Sequence, residues 1–404
     1  MSGARLPLGR GGYDDGAELH VRAVRAHRHR TPLRRPFVTA ARRTESVDSV
    51  VAEVELEDGT IGQGSAAETV AVTGESAETI LAAVHGPLAT ALAGAHGTVT
   101  GLGERIASAA PEATSARAAV DVALHDAWSR RTGQPLVELL GGDIGATLTN
   151  DMTVSLEDPA TMARRASEAV RDGSRILKIK LGRDPDEDRR RLAAVVEAAP
   201  SVRLRLDANQ GWDAAGAIRT LGAFARDGLP IDLVEQPVPA GDLAGMAAVR
   251  AAVAFPVMAD ESVWTAADAR RIVERGAADQ LNIKLAKTGG IREALAIADV
   301  AADAGLTCMV GAMMEPRISI TAAAHVAIAH PAITLIDLDS PAWFATDEPA
   351  GGYVEEDGVL RLLGGPGLGL DRLVSDPDPG HDGPAPGPSV PRPGEPGAPL
   401  GRRS

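Results

Sequence analysis

The feature that most limits the folds open to this chain is a rhythm in its middle half. From residue 146 to 343 short apolar runs alternate with helical stretches: NDMTVSL, ILKIKLG, RLRLDAN, LVEQP, PVMADES, QLNIKLAK, TCMVGAM and LIDLDSP. Most are followed by a segment such as DPDEDRRRLAAVVEAA. Runs this short, rich in Val, Ile and Leu, read as strands of a parallel sheet buried on both faces. Eight such units within about 200 residues point to a closed barrel rather than an open sheet.

Charged residues keep the same beat. Lys180, Asp207, Glu235, Asp260 and Lys284 stand near the ends of successive runs, at steps of 27, 28, 25 and 24 residues. Asp337 and Asp339 follow at the eighth run. The C-terminal ends of barrel strands converge on one mouth, so these groups are expected to share a pocket. Strand alternation sets their direction. In Ile176-Leu-Lys-Ile-Lys-Leu181, Leu177, Ile179 and Leu181 face the helices, which turns Lys178 and Lys180 inward. The same alternation turns Lys284 inward, and Asp337 with Asp339.

Three carboxylates from adjacent strands, Asp207, Glu235 and Asp260, would repel one another in a shared pocket unless a cation lay among them. An oxygen-only set favours Mg²⁺ over zinc or copper. Lysines inside a barrel are costly unless paired or functional. Crowded and desolvated, they are expected to fall in pKa toward the working pH of a general base. A metal-bound carboxylate substrate with one lysine on each face of its α-carbon can lose a proton on one side and regain it on the other, which is epimerisation. Thr153, in the first strand, could offer a hydroxyl to the pocket or simply pack. His325, His330 and Cys308 read as packing or surface residues, and Gly364-Gly-Pro-Gly-Leu-Gly369 as turns, because no helix follows to make it a phosphate loop.

Around the barrel the pattern differs. Residues 18–145 begin with alternating strands joined by a tight turn at Asp58-Gly59 and continue as helices, the order of a small α+β domain. Residues 344–374 leave the barrel and are expected to complete that domain. Residues 1–17 read as a floppy leader. Residues 375–404 carry nine of the 27 prolines and almost no apolar side chains, so they are expected to be disordered. A net charge of −14 argues against nonspecific binding to nucleic acid or anionic membrane. The single cysteine leaves no disulfide, and no apolar run has the length of a membrane span. A cytoplasmic enzyme, assembled as a homo-oligomer, is the expectation.

The motifs Lys178-Ile-Lys180, Asp207-Ala-Asn209, Glu235-Gln-Pro237, Asp260-Glu-Ser262 and Asn282-Ile-Lys-Leu-Ala-Lys-Thr-Gly-Gly290, in this order, resemble the enolase superfamily and its muconate-lactonising subgroup. The resemblance implies an α/β fold, a modified TIM barrel of the (β/α)7β type, with an N-terminal α+β capping domain whose loops close over the mouth. It implies one Mg²⁺ on Asp207, Glu235 and Asp260, an acid/base pair in Lys180 and Lys284, and a supporting Lys178. Lys287 falls beyond the strand end, which leaves the base to Lys284. Asp337-Leu-Asp339 looks like the Asp-x-Asp motif of dipeptide epimerases, where two carboxylates take the α-ammonium of the substrate.

Arg35-Pro-Phe-Val-Thr-Ala-Ala-Arg-Arg43 resembles the mobile loop of the Ala-Glu epimerases, and Arg42 matches the arginine that holds the substrate's side-chain carboxylate. The seventh run ends Gly311-Ala-Met where Gly-Ser-Met is expected, one hydroxyl fewer near the substrate. The implied activity is therefore epimerisation of a small dipeptide of the L-Ala-D/L-Glu type, which derives from cell-wall turnover. A muconate cycloisomerase or o-succinylbenzoate synthase shares the lysines and the metal but has no use for Asp337 and Asp339. A mandelate-racemase-like enzyme needs a histidine where Gly311-Ala312 stands. A non-catalytic metal- or peptide-binding protein gives the two lysines no purpose.

Overall fold

The computed structural model describes residues 16–38, 43–181 and 184–374. Arg42, nearly all of the leader and the tail 375–404 lie outside the described residues. Three antiparallel strands, Leu19–Val38, Arg43–Leu56 and Ile61–Ala67, form the cap sheet together with the short edge strand His96–Gly97. The turn between the second and third falls at Asp58-Gly59, where Asp58 Oδ1 accepts the Thr60 N–H at 2.9 Å and Gly59 takes φ +89°. The helix Thr114–Thr132 lies directly on this sheet. It can do so because a Cβ at Gly62 or Gly64 would run into the backbone of Ala123 or Ala119.

Eight parallel strands follow in chain order, so each pairs with its sequence neighbour: Met152–Val154, Ile176–Lys180, Arg203–Asp207, Ile231–Glu235, Val257–Ala259, Gln280–Ile283, Thr307–Gly311 and Ile333–Asp337. The expected α/β barrel with its α+β cap is therefore the observed architecture. Register brings the polar ends level, with Lys180 opposite Asp207, Asp207 opposite Glu235, and Gly311 opposite Asp337. One layer down, Leu233, Met258, Met309 and Leu335 make a small apolar cluster. At the same depth on the second and third strands stand Lys178 and Arg205, opposite one another.

The ring is not closed by a backbone ladder. Among the described residues the first and eighth strands do not pair, and side chains cross the seam instead. Asn150 Oδ1 accepts the Leu338 N–H at 2.9 Å, and Asp339 Oδ2 accepts the Thr153 N–H at 2.7 Å. Arg205 Nη1 donates to Ile336 O and to Asp151 Oδ2, both at 2.7 Å.

Among the described residues no α-helix follows the eighth strand. The chain runs through a 3-10 turn, Ser340–Trp343, into the hairpin Tyr353–Glu356 and Val359–Leu362, whose second strand pairs with Thr147–Thr149. The segment that follows returns to the cap. Gln63 exchanges side-chain bonds with the backbone of Leu373 at 2.7 and 2.8 Å, and Arg372 grips Glu53 through two nitrogens. The glycine run at 364–369 is a turn, with Gly364, Gly365, Gly367 and Gly369 all at positive φ. His325 is a buried pin whose Nδ1 accepts the Val137 N–H at 2.9 Å, and Cys308 is core. Among the described residues no helix is long and apolar enough to cross a membrane.

Candidate active site

The mouth of the barrel gathers seven of the residues singled out from the sequence: Lys178, Lys180, Asp207, Glu235, Asp260, Lys284 and Asp337. Asp207, Glu235 and Asp260 end three adjacent strands, and all three are buried. Each is turned onto a lysine. Lys180 Nζ donates to Asp207 Oδ2 at 2.5 Å, Lys178 Nζ lies 2.7 Å from Glu235 Oε2, and Lys284 Nζ donates to Asp260 Oδ2 at 2.8 Å. As they stand, no three His, Cys, Asp or Glu side chains among the described residues are gathered into a cage for an ion.

The donor set nevertheless fits a hard dication. It is all oxygen, it is buried, and it is shared by neighbouring strands. Glu235 Oε2 makes no hydrogen bond of acceptable geometry even with Lys178 Nζ so close, while Asn282 Nδ2 holds the other oxygen at 2.8 Å. Burial, then the Asp207 charge, raises the Glu235 carboxyl from 4.5 to about 7. Such a group gains most from a cation beside it.

Lys178 and Lys284 do not follow the expected fall in pKa. Burial lowers Lys284, but the Asp260 and Glu235 carboxylates outweigh it, and its pKa is raised. Lys178 is raised likewise: burial lowers it, but Asp337, Glu235 and Asp207 prevail. The physical reason is that acids and lysines neutralise each other here. With the carboxylates given over to a dication, the lysines would lose those counter-charges and burial would again govern them.

At the seam, Asp337 Oδ2 accepts from Lys178 Nζ at 2.6 Å. Burial raises Asp337, but Lys178 and Lys284 together bring it down to about 2. Asp339 differs. It has the Thr153 N–H and, at 3.3 Å, the Trp343 Nε1–H, and burial followed by the Asp337 charge holds its carboxyl up. Thr153 thus stands behind Asp339, level with Lys178, with which it pairs, and below Lys180.

Several residues of the site were not singled out from the sequence. Lys287 is fully buried and its Nζ donates to Asp260 Oδ1 at 2.6 Å, to Asp260 O at 2.5 Å and to Asn282 O at 3.0 Å. The short helical turn Leu285–Thr288 carries it back under the strand end. Gln236 Oε1 accepts the Asp260 N–H at 2.9 Å and so pins the third acid. Arg205 and Asn282 sit two residues before Asp207 and Lys284, so the alternation that found Lys178 also points to them.

A family model described as "Enolase C-terminal domain-like" matches residues 161–373, and one described as "Mandelate racemase / muconate lactonizing enzyme, N-terminal domain" matches residues 21–141. The chain is 42% identical over 344 residues to an L-Ala-D/L-Glu epimerase of Clostridium acetobutylicum, which is 85% of this chain and 96% of that one. It is similar to the substrate-liganded L-Ala-D/L-Glu epimerase of Bacillus subtilis with a TM-score of 0.84 at 38% identity, over 87% of this chain and 98% of that one. It is also similar to a dipeptide epimerase of Enterococcus faecalis complexed with Mg and L-Leu-L-Tyr, with a TM-score of 0.82 at 35% identity, over 87% of this chain and all, 100%, of that one.

Proposed function

This chain belongs to the mandelate racemase/muconate-lactonising branch of the enolase superfamily and is an isomerase of the racemase and epimerase kind, and we propose that it epimerises L-Ala-D/L-Glu with Mg²⁺ at the α-carbon beside the free carboxylate. The observation that carries this reading is the pair of lysines on opposite sides of one acid-lined mouth. Lys180 ends the second strand and Lys284 follows the sixth, four strands apart in a ring of eight.

A dication held by Asp207, Glu235 and Asp260 would supply the positive charge that makes an α-proton acidic enough to remove. The chain's own residues do the rest. A neutral Lys180 or Lys284 takes the proton from its face of the α-carbon, and the ammonium opposite returns one to the other face, inverting the centre. Lys178, held by Asp337 and Glu235, positions the carboxylates around it and keeps positive charge under the substrate carboxylate. Asp337 and Asp339 take the α-ammonium at the amino end, and that anchor sets the α-carbon between the lysines. Arg42 is assigned to the side-chain carboxylate of the glutamate.

The test is incubation with a dipeptide library and Mg²⁺ in D₂O, with deuterium uptake at the α-carbon followed by mass spectrometry. Uptake is expected first into Ala-Glu. No uptake into any dipeptide would sink the reading, whereas uptake confined to hydrophobic dipeptides would keep the chemistry and remove the role given to Arg42.

A further inference from the structure

The strand that ends at Asp337 is laddered to the seventh strand on one side only; toward the first strand, at the seam, no backbone ladder among the described residues holds it or the Leu338-Asp339 segment that follows. Two carboxylates meant to grip an ammonium need a fixed spacing, and something other than sheet pairing must supply it. The residue between them is Leu338. Its N–H is taken by Asn150 Oδ1 at 2.9 Å, and Asn150 is 1% exposed.

The orientation of that amide is itself determined. Asn150 Nδ2 donates to Glu355 Oε2 at 3.0 Å, and a carboxylate accepts only from the NH₂ end of an amide. The oxygen end is thereby turned to Leu338. The backbone of Asn150 is fixed as well, since its N–H donates to Gly358 O at 2.8 Å, in the turn of the C-terminal hairpin. The hairpin that takes the place of an eighth helix therefore reaches, through one buried amide, the midpoint of Asp337-Leu-Asp339.

We propose that Asn150, oriented by Glu355, is a positioning residue for recognition of the substrate's amino end, holding Asp337 and Asp339 at the spacing an ammonium requires. The proposal rests on the ammonium-binding reading of those two acids. Asn150 touches neither the reacting carbon nor the lysines. Its loss should weaken what depends on the ammonium and spare what does not.

The experiment compares Ala-Glu with its N-acetyl derivative, which has no ammonium, using kcat/KM for α-deuterium uptake. The wild-type enzyme is expected to prefer the free dipeptide strongly. In Asn150→Leu, which keeps the volume and removes the acceptor, the preference should fall about tenfold, mostly through KM for the free dipeptide. Uptake into the N-acetyl compound should change by less than about twofold. Asn150→Asp sets two carboxylates face to face and should also lose preference. The double variant N150D/E355Q restores the bond between residues 150 and 355 with donor and acceptor exchanged, keeps the acceptor for the Leu338 N–H, and has the wild-type net charge, so it should recover the preference. This pair serves if Asn150→Leu fails to fold.

Equal losses for both substrates in the variants would make Asn150 merely structural and overturn the proposal. So would an unchanged preference, or a double variant no better than Asn150→Asp. A wild-type enzyme indifferent to N-acetylation would overturn the ammonium reading itself and the proposal with it.

Discussion

The two sides of the mouth solve the same problem differently. Each carries the lysine that the proposed reaction assigns to one face of the substrate and hides a second lysine beside it. On the side of the second strand, Lys178 and Lys180 come from strand alternation and share a web of acids: Asp207, Glu235 and Asp337. On the side of the sixth, Lys284 stands just past the strand end in extended backbone and Lys287 in the helical turn that follows, and the two share a single acid, Asp260. The hidden partners differ too. Lys178 is raised in pKa by its three acids, whereas burial lowers Lys287 despite Asp260 beside it. A lysine with several counter-charges is a fixed cation. A lysine with one shared counter-charge is a strut whose removal leaves an acid half-neutralised.

The largest effect should come from cutting either side. Lys180→Ala and Lys284→Ala are each expected to lower epimerisation by at least about a thousandfold, the scale of a lost general base. Each variant should still exchange the α-proton of one epimer, and the two should spare opposite epimers, as NMR in D₂O would show. If both variants lose exchange with both epimers alike, the lysines do not divide the faces. Next in size, Lys287→Met should destabilise the fold by about 3 kcal/mol, because a buried ion pair loses one partner. Urea unfolding reads this directly, and an unchanged midpoint would show that Asp260 needs only Lys284.

The same comparison shows what could be read from the sequence. Lys178 follows from Lys180 because a strand repeats every two residues, and the barrel itself follows from eight apolar runs at a steady interval. Lys287 lies past the strand end, which leaves the base to Lys284 but gives no sign of where the Lys287 side chain goes. The turn at Leu285–Thr288 brings it back, and that depends on how the chain leaves the strand. Asn150 left no signal at all, since its partner is a backbone N–H 188 residues away and any residue could have supplied it. The direction of the lysine pKa shifts was also out of reach. It depends on which carboxylates close on which ammonium, and several distances near 2.6 Å decide it.

A third site probes the seam that joins the two sides. Asp339→Asn should raise KM for the dipeptide about tenfold by removing charge from the ammonium anchor, with kcat less affected. Asp337→Asn should do more, because it also frees Lys178 from its nearest acid. Unchanged turnover in Asp339→Asn would take the ammonium away from this pair.

The smallest effect lies on the divide itself. Glu235 is held by Lys178 from one side and Asn282 from the other, with its carboxyl raised from 4.5 to about 7. Below pH 4.5 the folded and unfolded chains both hold this proton, and between 4.5 and about 7 only the folded one does. Metal-free stability from this group should therefore decline as pH rises through that interval. Mg²⁺ must displace the proton, so below about pH 7 each unit should weaken its binding by about 1.4 kcal/mol. The rise in Tm on adding Mg²⁺ should accordingly be larger at about pH 8 than at about pH 6, and Glu235→Gln should flatten the difference. An equal rise at the two pH values would mean that Glu235 is already ionised. Lys178 and its web of acids would then govern the metal site from one side alone.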